Sequence, residues 1–168
     1  MRLYLVRHGA AEEKLGKNDA ERSLTAEGRD DLLVVADRLR GAVEHPLRLL
    51  SSPYLRAEQT AEILRERLSI KEKIVATNAL LPEADWGQLR AVLAPLVAQG
   101  AANVLAVGHN PSISVMIATI VAGDEDARIS MAKGAAACLE VDDLHGRPAG
   151  ELKWLLTPRA LRGPRPKA

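Results

Sequence analysis

The 168-residue chain contains one cysteine, no phenylalanine and four aromatic residues in all, Tyr4, Tyr54, Trp86 and Trp154. A single Cys138 cannot close an internal disulfide, and no cysteine or histidine cluster has the spacing of a structural zinc site. A reducing compartment and no metal are expected. So few rings leave little stacking surface for single-stranded nucleic acid, and a formal charge of +1 gives no strongly basic face. Nucleic acid is therefore not expected as a partner. No run approaches the roughly 18 apolar residues that a membrane-spanning helix needs, and the amino terminus reads as a strand rather than a charged segment followed by an apolar one. No membrane partner is expected, and the chain reads as soluble and cytoplasmic.

What remains is a length near that of one domain, with 47% apolar residues, enough for a sizeable core built from Leu, Val, Ile and Ala. Leu3 to Val6 is a short apolar run of the kind that forms a strand covered on both faces. After a polar loop with Gly16, Asn18 and Asp19, Thr25 is placed to cap a helix carrying Leu32, Leu33, Val35, Ala36 and Leu39 and ending near Gly41. Gly28 in its first turn reads as a minor cost.

Leu47 to Ser51 is a second strand, followed by Ser52 as a cap, Pro53 in the first turn, and the helix "PYLRAEQTAEILRERL". Ile74 to Thr77 is a weaker strand. The helical pattern from about Asp85 to Gln99 contains Pro95, which is expected to kink or divide it. Asn103 to Val107 is another strand, and "GHNPSISVMIATIVAG" turns from it into a helix capped by Asn110 or Ser112. Ala135 to Val141 and Leu152 to Leu156 form a hairpin with a long polar loop. Strands alternating with helices predict a single-domain α/β sandwich with a mostly parallel sheet and an antiparallel edge hairpin. The domain is expected to cover residues 1–158, with 159–168 as a basic, mobile tail whose prolines and glycine argue against a packed element.

In an open parallel α/β sheet, binding sites gather beyond the carboxyl ends of the strands. "LVRHG", "SSPYLRAEQT" and "VGHNP" each leave a strand at that end. They deliver Arg7, His8, Arg56 and His109 toward one edge. Taken singly, each has a bland explanation: the first solvated residues after a strand, a surface charge on a helix rich in Arg and Glu, a histidine in a turn. Together, two guanidinium groups and two imidazoles make a site for a doubly charged oxyanion, since arginine pairs with phosphate oxygens and stays charged. Neither a glycine-rich phosphate loop of the Walker type nor a cluster of metal-binding carboxylates accompanies them. The arginines must supply the charge.

Four motifs in order, "LVRHG", "LTAEG", "SSPYLRAEQTAE" and "VGHNP", resemble the histidine phosphatase superfamily. The length, "RSLTAEG" and the closing "KWLLTP" most resemble its SixA-type branch, the protein phosphohistidine phosphatases. The resemblance implies a three-layer, phosphoglycerate mutase-like fold and a metal-independent phosphatase that needs no cofactor. It implies His8 as the nucleophile that becomes a phosphohistidine, with Arg7, Arg56 and His109 around the phosphoryl oxygens. The nearby arginines disfavour protonation of His8, which keeps it nucleophilic.

A general acid is harder to name. "LLPEADWG" offers Glu83, with Asp85 beside it, and Glu83 reads equally well as a solvated carboxylate at a helix start. A phosphohistidine substrate lowers the need for one, because imidazole leaves more readily than an alkoxide. Asn18 does not fit the pattern of branches that use an asparagine after the first motif. Cys138, in an apolar strand, reads as inert packing. The short stretch between the second helix and the strand ending at Val107 holds no inserted wall over the site. The expected partner is therefore a phosphohistidine-bearing protein, such as a phosphotransfer or carrier domain. The alternatives are a small phosphomonoester as substrate or, further off, a noncatalytic phosphate or phosphoprotein binder.

Overall fold

The computed structural model describes residues 1–13, 16 and 18–163. Four strands run parallel: β1 (Arg2–Arg7), β2 (Arg48–Ser51), β3 (Ile74–Ala76) and β4 (Asn103–Gly108). The hairpin of β5 (Ala136–Asp143) and β6 (Ala149–Leu156) adds two antiparallel strands, giving the order β3-β2-β4-β1-β5-β6. Around the sheet lie α1 (Ala26–Leu39), α2 (Leu55–Arg67), α3 (Trp86–Ala98), α4 (Ser112–Ala122) and the short α5 (Pro158–Arg162).

Side chains alternate across a strand, so the sheet splits the apolar interior in two. Leu3, Leu5, Leu50, Val104 and Ala106 pack with Leu89, Leu93, Met116 and Ile117 of α3 and α4. Tyr4, Val6, Leu49, Leu105 and Val107 pack with Val35, Leu39, Ala57 and Leu64 of α1 and α2. This is the three-layer α/β sandwich that the sequence pattern predicts. The central strand β4, "NVLAVG", is buried at all its positions, as a parallel strand covered on both faces must be. No helix among the described residues is long and apolar enough to cross a membrane.

Several local expectations are corrected. Tyr54, not Ser52, stands at the cap of α2, and Pro53 precedes the helix instead of opening it. α3 passes through Pro95 undivided; the proline lies so close to the end at Ala98 that its missing donor affects only the closing turn. Neither Asn110 nor Ser112 caps α4: the Asn110 amide donates to the Met131 carbonyl, and the Ser112 hydroxyl donates to the His109 carbonyl. The hairpin strands reach to Asp143 and from Ala149, because the Asp143 carboxylate accepts the amides of His145 and Gly146 and tightens the turn.

The expected unpacked tail is also wrong for residues 159–162. Thr157 caps α5 by accepting the Ala160 amide at 3.1 Å, Leu161 packs on the α1–α2 side of the core, and Arg162 pairs with Asp31 at 2.9 Å. A cap followed by Pro158 at the first helical position is a start signal that the basic composition hid. Residues 164–168 of the expected tail lie outside the described residues.

Gly28 is no minor cost. The start of α1 docks on the chain just after His8: the Thr25 amide donates to the Ala10 carbonyl at 2.9 Å, and the Thr25 hydroxyl caps the helix at the Gly28 amide. A Cβ at Gly28 would run into the Ala10 carbonyl oxygen and lie 2.8 Å from the Ala10 nitrogen. Backbone cannot move aside as a flexible side chain can. Gly28→Ala is expected to cost about 2–3 kcal/mol and to lower Tm by roughly 4–12 °C in thermal unfolding; an unchanged Tm would mean that this contact yields freely.

Candidate active site

Strand register assembles the site. Arg7 pairs with Gly108 and Ser51 with Val107, and the ladders run on as the His8 amide donates to the Gly108 carbonyl at 3.0 Å and the Ser52 amide to the Val107 carbonyl at 2.9 Å. His8, Ser52 and His109 therefore emerge side by side at the carboxyl edge of the sheet. Arg56, in the first turn of α2, leans back over them and is 3% exposed. The His8 and His109 rings lie 4.9 Å apart between centroids. The structure thus brings Arg7, His8, Arg56 and His109 into one pocket of about 290 Å³, which Asp19, Arg22 and Lys133 also line.

Hydrogen bonding defines the tautomer of His8. His8 Nδ1 lies 2.7 Å from the Gly9 carbonyl, which only accepts, so Nδ1 carries the proton. His8 Nε2 then keeps its lone pair and accepts from Arg56 Nε at 3.2 Å. Burial, with the charges of Arg56 and Arg7 behind it, outweighs the Gly9 carbonyl and pushes the His8 pKa down to about 4. His109 Nε2 lies 2.8 Å from Ser52 Oγ. The Tyr54 amide also donates to that oxygen, and a hydroxyl with two lone pairs serves His109 Nε2 as donor or as second-time acceptor according to the ring's tautomer. Burial first, then His8 and Arg56, push His109 down to about 3. His109 Nδ1 and Arg7 Nε are buried nitrogens with no hydrogen-bond partner among the described residues.

A pH dependence follows from these shifts. Unfolded histidine takes up a proton near 6.5, whereas folded His8 resists down to about 4 and His109 to about 3. Stability is therefore fully present above about pH 6.5 and is lost as pH falls through that window. Turnover that uses neutral His8 is expected to hold to about pH 5 and to fall tenfold per unit below about pH 4. A kcat/KM profile, which reports the free enzyme, on an acid-stable substrate checks this; half-maximal activity near 6.5 would contradict it.

The surroundings hold the donors rigidly. Arg7 Nη1 donates to the Met131 carbonyl at 2.7 Å, and the Gly134 amide donates to the carbonyls of Arg7 and His8 at 3.1 and 3.0 Å. Arg56 is fastened at its other end, Nη1 to the Asp19 carbonyl and Nη2 to Asp19 Oδ2 at 2.9 Å. Its guanidinium carbon also sits 4.9 Å from the centroid of the Tyr54 ring. Arg22 grips Asp19 Oδ1 through Nη2 at 2.7 Å and Nε at 2.9 Å. Burial alone would raise the Asp19 pKa, but hydrogen bonds from Arg56 and Arg22 hold it below the usual carboxylate range.

Glu83 is exposed and does not line the pocket, although its neighbour Pro82 does. Asp85 serves α3 through a reciprocal cap with Gln88. Asn18 caps the short 3-10 turn at Asp19–Glu21 and does not line the pocket. Cys138 is buried, and burial pushes its thiol up to about 11, as suits inert packing. Sequence reasoning missed Asp19, Arg22 and Lys133 as pocket residues. Only Arg22 offered a signal, a cation inside "RSLTAEG" just ahead of the capping threonine.

Known proteins resemble this chain in sequence and in fold. The profile of the histidine phosphatase superfamily (branch 1) matches residues 3–94. The phosphohistidine phosphatase SixA of Escherichia coli strain K12 is 30% identical over 162 residues, covering 96% of this chain and 97% of the relative. A solved structure of the protein histidine phosphatase SixA complexed with tungstate superposes with a TM-score of 0.83 at 31% identity, covering 94% of this chain and 97% of that one. A mycobacterial glucosyl-3-phosphoglycerate phosphatase shares the fold at 19% identity, with a TM-score of 0.66 over 90% of this chain and 96% of the other.

Proposed function

The chain belongs to the histidine phosphatase superfamily, and on that footing we propose that it removes the phosphoryl group from phosphohistidine displayed on a protein, by way of a phosphohistidine on His8. The observation that carries this reading is the lone pair of His8 Nε2, held neutral and turned toward the Arg56 guanidinium inside a cationic pocket. Nε2 attacks phosphorus, while Arg7, Arg56 and His109 surround the equatorial oxygens as charge spreads over them. Water then attacks the phospho-enzyme, and phosphate leaves. Arg7 Nε, a buried donor without a partner among the described residues, suits an arriving oxyanion.

The substrate class is supported by what the pocket offers a leaving group. Its one lining carboxylate among the described residues, Asp19, is held ionised, and Glu83 stands outside. An imidazole that brings its own proton needs none from the enzyme to leave; an alkoxide does. The phosphohistidine phosphatase activity of the SixA relative and the tungstate, a tetrahedral oxyanion, in the solved SixA structure point the same way.

The test is brief mixing with a phosphohistidine-bearing donor protein in the presence of a metal chelator, read by intact mass. One acid-labile phosphoryl adduct on the protein, with loss of phosphate from the donor, is the expected result. No adduct and no donor loss, with turnover of a small phosphomonoester under the same conditions, would move the assignment to the ester.

A further inference from the structure

We infer that Asp19 makes the site selective for phosphorus–nitrogen over phosphorus–oxygen bonds, by stabilising the positive charge on the departing imidazole ring of the substrate. The inference rests on the phosphohistidine reading above and assigns a residue to its selectivity.

The placement comes from the Arg56 guanidinium. Its Nε edge meets the nucleophile, His8 Nε2, and its Nη1 and Nη2 ends meet Asp19. The attacking nitrogen and the carboxylate thus lie at opposite ends of one planar group. A phosphoryl group bound along that plane sits between them, and in-line displacement puts the leaving group on the side away from His8. The Asp19 side chain is 31% exposed, so it is not walled off from an incoming ring. Arg22 fills Oδ1 with two donors, whereas Oδ2 takes one, from Arg56, and can accept a second hydrogen bond.

The chemistry balances without any added reagent. A neutral phosphoimidazole would have to depart as an imidazolide anion, so the ring first takes up a solvent proton on the nitrogen not bonded to phosphorus, and the later hydrolysis of the phospho-enzyme to hydrogen phosphate returns one. The Asp19 carboxylate accepts a hydrogen bond from that N–H and favours the cation. The His8 Nε2–phosphorus bond then forms, the substrate nitrogen–phosphorus bond breaks, and its electron pair returns to the substrate ring, which leaves neutral with its proton retained. His8 now bears the phosphoryl group on Nε2 and keeps its Nδ1–H on the Gly9 carbonyl. The enzyme intermediate has the same chemical form as the protonated substrate, with the Gly9 carbonyl standing where the Asp19 carboxylate stood. A phosphate ester gains nothing from this arrangement, because its leaving oxygen needs a proton that an ionised carboxylate lacks, and its developing negative charge is repelled.

The experiment measures kcat/KM of the wild type and of Asp19→Asn on phosphoimidazole and on 4-nitrophenyl phosphate, and compares the ratio of the two. The ratio is expected to fall by about 10- to 100-fold in Asp19→Asn, the loss of one charge-assisted contact in the transition state. If both substrates fall together and the ratio stays put, Asp19 only holds Arg56 in place and the inference is overturned. An unaltered enzyme overturns it equally. A wild type that cleaves the ester but neither phosphoimidazole nor a phosphohistidine protein would instead remove the substrate reading on which the inference stands. Asp19→Glu, which keeps the charge, is expected to retain more of the ratio than Asp19→Asn.

Discussion

Replacing His8 with alanine is expected to lower turnover of any phosphorylated substrate by on the order of 10⁴-fold or more, the usual scale for loss of a covalent nucleophile. The acid-labile adduct should vanish with it. Inorganic phosphate should still bind, because Arg7 stays anchored on the Met131 carbonyl, Arg56 on Asp19, and His109 on Ser52. Binding without turnover separates nucleophile from clamp, and calorimetry with phosphate alongside intact mass reads both. The alanine also leaves Arg56 Nε without the acceptor it has at 3.2 Å, so that edge turns wholly to the ligand. Turnover of His8→Ala above about a hundredth of wild type would disprove covalent catalysis through this imidazole.

Arg56→Ala is expected to reduce kcat by roughly 10²- to 10³-fold, the scale for losing one preorganised donor to a developing oxyanion. Arg56→Lys should recover little of it. The guanidinium works on two fronts at once, Nε toward His8 and both terminal nitrogens toward Asp19, and an ammonium on a flexible stem cannot span them. Arg56 also contributes to the low pKa of His8, so its removal should move the acid limb of the pH profile upward. A lysine variant with near wild-type kcat would show that the charge at this point matters and the fork does not, and an acid limb unmoved in Arg56→Ala would show that the Arg56 charge does not set the protonation of His8.

The parts of the site that the sequence announced are those carried by strand ends. "LVRHG", "SSPYLRAEQT" and "VGHNP" each join an apolar run to a helix or loop, and parallel pairing converts three such junctions into neighbours. The same logic made the three layers legible. Asp19 and Arg22 escaped because they sit in a polar loop with no periodicity, and their importance arises only from where Arg56 reaches across to them. The Met131 and Gly134 backbone groups escaped for a deeper reason: a carbonyl or an amide has no letter in the sequence. Gly28 was misjudged because helix propensity was weighed without the Ala10 carbonyl that presses on it. Glu83 drew attention by its neighbourhood alone, and the turn before α3 points it to solvent.

The clasp of the 131–134 segment on Arg7 and His8 has a thermodynamic corollary. One half of the oxyanion cradle is set by the first strand, and its fastening comes from a segment 124 residues further along the chain. No fragment short of nearly the whole domain can form the cradle, so affinity for an oxyanion and global folding are linked functions of a single equilibrium. A ligand in this pocket draws the entire chain toward the native state by RT ln(1 + [L]/Kd), and a weakening of β5 or of the turn before it will be felt as lost affinity far away, without a single liganding side chain having changed.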